Sequence, residues 1–253
     1  MKQLSLVGIG IGDEKGISLE GLEELKACEK IFAETYTNSL PKGTIRRLEA
    51  LLGKKIELLG RKQVEEEKKI LSSASRQKTA LVVSGDPMIA TTHVSLVLSA
   101  KKLGIQVKLI HAASIISAAI SESGLQAYKF GKTVTLAYWG KNYKPMAAYD
   151  IIAQNLERGL HTLLLLDIDE KSGPMKPNEA AKLLLEMEKT GKKKILSSKT
   201  KVIVLSSLCR PSGEKSYLSL GEFASKSHLG VPSVLLVPGK LHFVEEDMVR
   251  TLY

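Results

Sequence analysis

Cysteine is scarce in this chain. Cys28 and Cys209 stand alone and far apart, so neither a CxxC redox pair nor a cysteine metal cluster is available. Both are expected to be free thiols in a reducing compartment. The histidines give no metal site either. His93, His111, His161, His228 and His242 are scattered, and no HExxH occurs. A GxSxG elbow and a Walker loop are also missing. Metal hydrolysis, serine hydrolysis and P-loop chemistry therefore lose support. Aromatics make up only 5% and do not alternate with basic residues, which argues against a base-stacking platform for single strands. Apolar runs such as residues 163–166 are far too short to cross a bilayer. The start, MKQLSLVGIGIGDE, is glycine-broken and acidic rather than leader-like, so the expected location is the cytoplasm, with no membrane partner.

What is present is an ordinary globular composition, 253 residues with 43% hydrophobic and 25% charged. The net charge of +10 favours an anionic partner, although the lysines are dispersed and Lys192, Lys193 and Lys194 form the longest run. That run reads as a solvated loop. Apolar segments alternate with amphipathic ones. Strands are expected at 3–7, 31–33, 55–59, 79–83 and 106–110, and helices at 19–29, 44–52, 63–74 and 88–103. Such alternation implies a parallel sheet with covering helices. The order changes around 115–128. Strands then follow at 132–138, 161–167, 201–206, 218–220 and 234–237, with helices near 147–156, 178–189 and 222–225. The fold class is α/β, in two α/β domains, 1–115 and 116–253, with a ligand site expected in the cleft between them.

Three loops follow predicted strands: GIGIGD at 8–13, SGDPMIATTH at 84–93 and HAASIIS at 111–117. Ligands of open α/β sheets bind at that edge, so the loops should converge. The first lacks the third glycine of a dinucleotide loop, because Asp13 stands there. It is either a plain tight turn or a loop for a cofactor whose positive charge or ribose suits a carboxylate. In the second, Asp86 has two readings, helix cap and ligand contact, with Gly85 and Pro87 fixing it in place. His93 reads as a satisfied structural histidine.

With these stretches in place, a resemblance emerges. GIG (8–10), FAETYT (32–37), GDPMIATTH (85–93), IHAASI (110–115), YKFGK (128–132), ERGLHTLLLLDI (157–168), NEA (178–180) and VPGKLHFVE (237–245) run in order almost end to end. The set resembles the diphthine synthases, within the tetrapyrrole-methylase-like class of S-adenosylmethionine enzymes. The resemblance implies two α/β domains, a homodimer and a methyl-donor site. It implies methylation of the amino group of a 3-amino-3-carboxypropyl-modified histidine on translation elongation factor 2, with S-adenosylhomocysteine as the spent donor and no nucleic-acid partner. Carried over residue by residue, it implies donor contacts at Ile11, Asp86, Ile89, Ser114, Ile115 and Leu166. Leu208 is added from SSLCRPSG, which stands where the family usually has a small-residue loop. Ser233 is added where a histidine is common. No side chain is assigned as a catalytic base, and no metal is implied. The alternatives are a corrin or porphyrin-precursor methylase, an RNA ribose methylase and a non-catalytic basic RNA-binding module.

Overall fold

The structure is a computed structural model, and it describes residues 2–34, 36, 40–169, 172–226 and 230–252. His228 and the Thr35 and Thr37 of FAETYT lie outside these. By contact the chain separates into two compact units, Met1–Ile115 and Ile116–Tyr253.

The first unit is a parallel sheet in the order β3-β2-β4-β1-β5. Its strands are β1 (Gln3–Gly8), β2 (Lys30–Glu34), β3 (Glu57–Leu59), β4 (Lys78–Val83) and β5 (Gln106–Ile110). Alternate residues of β1, β2 and β4 feed two separate cores. Leu4, Leu6, Phe32, Leu81 and Val83 fill one, and Val7, Ile31, Ala33, Ala80 and Val82 fill the other. Both faces are therefore covered, as an all-parallel sheet requires. The covering helices are α1 (Leu19–Ala27), α2 (Thr44–Leu52), α3 (Arg61–Glu65), α4 (Lys68–Ala74) and α5 (Val94–Lys102). Ser18 caps α1 by accepting from Gly21 N–H at 3.0 Å, and Gly53 stops α2 in the left-handed region at φ +64°.

Two expected helices differ. The one at 63–74 is broken into α3 and α4 at Glu67, which has φ +57°. Val64 and Ile70 are both buried, and six residues apart they would lie on different faces of one straight helix. The break lets both point inward. The helix expected from 88 begins only at Val94. Residues before it are held as a loop, with Ala90 at φ +56°, so Asp86 does not cap α5 and Pro87 is not in its first turn.

The second unit starts with α6 (Ile115–Ser123), whose first residue closes the first unit, and is built on a mixed sheet, β11-β10-β12-β7-β6. Its strands are β6 (Val134–Leu136), β7 (Thr162–Leu166), β10 (Lys201–Ser206), β11 (Glu214–Ser219) and β12 (Ser233–Val237). Only β6 and β7 are parallel; β12 runs against both β7 and β10. A short ribbon, β8 (Ile168–Asp169) with β9 (Gly173–Pro174), follows β7. The helices are α7 (Ala147–Glu157), α8 (Pro177–Gly191), α9 (Leu220–Ser225) and α10 (Phe243–Val249). Strand β11 extends well beyond the expected 218–220, because Glu214 through Ser219 pair along the whole of β10. Helix α10 was not expected at all. Among the described residues, no helix is long and apolar enough to cross a membrane. Cys28 is buried and free, and Cys209 is exposed and free.

Candidate functional site

In the first unit the loops after β1, β4 and β5 are stitched into one cluster. Ile9 N–H donates to Val83 O at 3.0 Å, and Gly10 and Gly85 exchange N–H···O bonds at 3.3 and 2.8 Å. Gly8 shows how tight the joint is. A Cβ there would sit 2.5 Å from Gly85 O and 2.9 Å from both Ala112 Cβ and Pro87 Cδ. Only glycine lets the three loops close on one another.

Asp86 is the cross-brace. Its Oδ1 accepts from Met88 N–H at 2.9 Å, within its own loop. Its Oδ2 accepts from Ala112 N–H at 3.2 Å and from the His111 ring at 2.9 Å, in the next loop. Burial alone would raise this carboxyl. The bonds from Met88, His111 and Ala112 outweigh it and hold Asp86 below the usual carboxylate range, ionised at neutral pH. A carboxylate offers about four acceptor positions. Three are used among the described residues, and the fourth, on Oδ1, is not.

The other expected donor contacts of this unit lie around that brace. Ile11 is half-buried in the first loop, Ile89 is 42% exposed in the second, and Ser114 is nearly buried just before Ile115 opens α6. The left-handed Ala90 follows Ile89 directly. Thr91 Oγ1 is buried with no hydrogen-bond partner among the described residues. Such an orphan hydroxyl in a candidate ligand loop has a physical cost that a bound polar group would relieve.

Beneath the loop, His93 is fully buried. Its Nδ1 donates to Pro87 O at 2.8 Å and its Nε2 meets Glu34 Oε2 at 3.1 Å. It is a satisfied core histidine that pins the GDP turn from below. Glu34, the last residue of β2, was not singled out from the sequence, and neither was His111. The signals for both were a place at the carboxyl end of a strand and inclusion in FAETYT and IHAASI, two of the stretches that carry the resemblance.

In the second unit, Leu166, Leu208 and Ser233 also share one sheet edge. Strand β12 pairs Val234 with Leu165 and Ser233 with Ser206. Ser233 therefore sits between the ends of β7 and β10, with Leu208 two residues beyond Ser206. The hydroxyls of Ser206 and Ser233 are 2.8 Å apart. Leu208 lies between Ser207 at φ +50° and Cys209 at φ +59°. Two non-glycine residues in the left-handed region are backbone strain that the surroundings must hold, and such strain concentrates at functional loops.

With both edges described, likeness to known proteins decides the family. The family model for tetrapyrrole (corrin/porphyrin) methylases matches residues 3–224. A diphthine synthase of Methanocaldococcus jannaschii is 43% identical over 98% of each chain, and one of Methanococcus vannielii is 40% identical over 99% of this chain and 98% of the relative. A crystal structure assigned as a diphthine synthase from Entamoeba histolytica superposes with a TM-score of 0.92 at 33% identity, covering 100% of this chain and 98% of that one. The chain belongs to the diphthine synthase family. It is a methyltransferase with the tetrapyrrole-methylase fold.

The stretches that carried the resemblance to diphthine synthases do more than line loops. YKFGK, GLHTLLLLDI and PGKLHFVE meet in one buried knot of the second unit. Glu245 accepts from Gln126 N–H at 2.9 Å and from His242 N–H at 2.7 Å, and its carboxylate also meets Lys129 and His161 Nε2, the latter at 3.0 Å. His161 Nδ1 accepts from Gly239 N–H at 2.9 Å. Part of the diphthine synthase signature thus marks packing.

Proposed function

We propose that this chain transfers methyl groups from S-adenosylmethionine to the amino nitrogen of a 3-amino-3-carboxypropyl-modified histidine on translation elongation factor 2. Diphthine and S-adenosylhomocysteine are the products. The observation that carries this reading is the end-to-end likeness to diphthine synthases, 43% identity over 98% of the chain. The first-unit loops suit the donor: an ionised Asp86 with one acceptor position left and an orphan Thr91 hydroxyl.

When bound, the donor supplies an electrophilic methyl carbon on a sulfonium. The residues of the chain bind and orient. Asp86 offers its carboxylate to a ribose hydroxyl or to the amino group, and its anionic charge favours a cationic ligand. Ile11, Ile89, Ser114 and Ile115 in the first unit, and Leu166, Leu208 and Ser233 in the second, are the proposed further contacts. Methyl transfer to a neutral amine is an in-line displacement, and alignment supplies much of its acceleration. The chain carries no side chain that we assign as base.

The reaction belongs in the cytoplasm, with the chain paired as a homodimer; light scattering should return twice the 27.6 kDa chain mass. The deciding experiment offers radiolabelled S-adenosylmethionine with three acceptors in turn: elongation factor 2 carrying the modified histidine, a tetrapyrrole precursor, and RNA. Label should enter the modified factor alone. Label in the tetrapyrrole and none in the factor would transfer the reading to the broader family's chemistry.

A further inference from the structure

Residues 137–146, AYWGKNYKPM, leave β6 and reach α7 without regular structure, yet the loop is built. Gly140 N–H donates to Tyr143 O at 2.8 Å, and Trp139 Nε1–H donates to Pro145 O at 3.1 Å. Tyr138 fixes the base of the loop twice, through its N–H to Asp167 Oδ2 and its O–H to Glu179 Oε2, each at 3.0 Å. On this frame stand exposed Lys141, Tyr143 and Lys144, with Tyr143 67% exposed. The Lys144 ammonium lies over the Trp139 ring, 5.2 Å from its centroid. Lys193, Lys201 and Lys215 of this unit meet Asp150, Glu222 and Glu122. Among the described residues, no carboxylate pairs with Lys141 or Lys144.

The position of the loop matters as much as its charge. Leu136 pairs with Leu166, so the loop departs beside Leu166 and Asp167, on the sheet edge that also holds Ser233 and Leu208. We propose that this loop is the acceptor-docking surface, in which Lys144 and Lys141 receive the carboxylate of the aminocarboxypropyl side chain and Tyr143 packs against the histidine ring that carries it. The inference rests on the reading under Proposed function. That side chain bears its amine and carboxylate on one carbon. Two cations facing the carboxylate neutralise it, and as like charges they disfavour the ammonium form of the neighbouring amine. A neutral amine is what methyl transfer needs. The indole under Lys144 holds one of those cations in place, so less side-chain freedom is lost on docking.

The donor carries the same amino-acid end, so the test must tell donor from acceptor. Binding of elongation factor 2 with and without the aminocarboxypropyl group is measured by fluorescence anisotropy, with S-adenosylhomocysteine present. Affinity for S-adenosylmethionine is measured separately by calorimetry. Wild-type protein should prefer the modified factor. In the Lys141→Ala/Lys144→Ala double variant that preference should fall by about tenfold or more, the scale of a charge-assisted contact. Lys144→Arg should keep most of it, and donor affinity should not change in either variant. A preference that survives in the double variant overturns the proposal and leaves the methyltransferase reading standing. Donor affinity falling in parallel overturns it in favour of a donor contact. An equal loss for modified and unmodified factor overturns it in favour of general docking on an acidic surface. A wild-type protein that shows no preference at all overturns the acceptor reading itself, before any variant is made.

Discussion

Each unit buries one histidine against one glutamate, and the two rings are shifted in opposite directions. His93 and Glu34 are 1% and 0% exposed with 3.1 Å between them, and His161 and Glu245 are 0% and 1% exposed at 3.0 Å. Their surroundings differ at one atom. Nδ1 of His93 faces the Pro87 carbonyl, which can only accept, so that nitrogen bears a proton. Nδ1 of His161 faces the Gly239 N–H, which can only donate, so that nitrogen keeps its lone pair. Burial is the largest influence on both rings and pushes both down. For His93 the Glu34 bond and charge outweigh it, and its pKa is raised. For His161 burial wins, helped by the Lys129 charge, and its pKa is lowered. A third partner thus sets the direction in which the ring of a His–Glu pair is shifted, up under the GDP turn and down in the knot.

The hardest way to break the comparison is to remove a carboxylate. Glu245 receives two backbone N–H groups, an ammonium and an imidazole, so Glu245→Ala strands four partners at once. Breaking a buried charged pair from one side costs about 3–5 kcal/mol, and the urea midpoint should fall accordingly. A loss under about 1 kcal/mol, the range of exposed pairs, would mean that the knot is wet.

Next in size is the pH dependence, where the two pairs should pull in opposite directions. The folded pKa of His93 is raised. Its contribution is complete below the unfolded value of about 6.5 and disappears as pH rises through the folded value. The folded pKa of His161 is lowered. As pH falls below about 6.5 the unfolded chain takes up a proton that the folded protein refuses, and stability drops. Glu245 adds to the acid limb. Burial pushes it up, but Lys129 and the backbone donors bring it to about 2, so its contribution is lost as pH falls toward that value. Each tenfold difference in proton affinity is worth about 1.4 kcal/mol. Stability against pH should therefore lose the upper part of its acid limb in His161→Gln, leaving the lower part that Glu245 supplies, and lose its alkaline limb in His93→Gln. Swapped limbs would reverse the two directions of shift.

The sequence shows the apolar frame of this comparison but not the pairings. Runs such as ALVV at 80–83 and VIVL at 202–205 give strands in place, because burial on both faces leaves a local mark. The convergence of three loops follows from strand polarity alone. What stays hidden is non-local. His93 looks like part of a helix until Glu34, 59 residues earlier, captures it, and Asp86 looks like a cap until His111, 25 residues later, turns out to be its partner. The sequence on its own likewise gives no sign that Ala90, Ser207 and Cys209 adopt left-handed backbone, since none is a residue that favours it.

Asp86 and His111 give the smallest and most selective test, a third histidine–carboxylate contact whose ring is 67% exposed. An exposed partner adds little, so His111→Ala should cost no more than about 1 kcal/mol of stability. Asp86 is different. Asp86→Ala removes acceptors from the N–H groups of Met88 and Ala112 and should cost about 1–3 kcal/mol. Asp86→Asn is the informative change. Asparagine is a good helix cap, so a capping aspartate would tolerate it. Here α5 starts seven residues after Asp86's neighbour Pro87, and the carboxylate faces backbone donors from both oxygens. Either orientation of an amide turns its NH2 toward a backbone N–H, so Asn should destabilise nearly as much as Ala. Calorimetry with S-adenosylmethionine then separates brace from contact. A brace alone predicts that donor affinity returns once each variant is measured well below its melting temperature. A donor contact predicts a persistent loss of about 1.5–3 kcal/mol in Asp86→Ala, the scale of a charge-assisted hydrogen bond. A silent Asp86→Asn in both measurements would return Asp86 to simple turn chemistry and remove the stitching of the three loops as an explanation of the site.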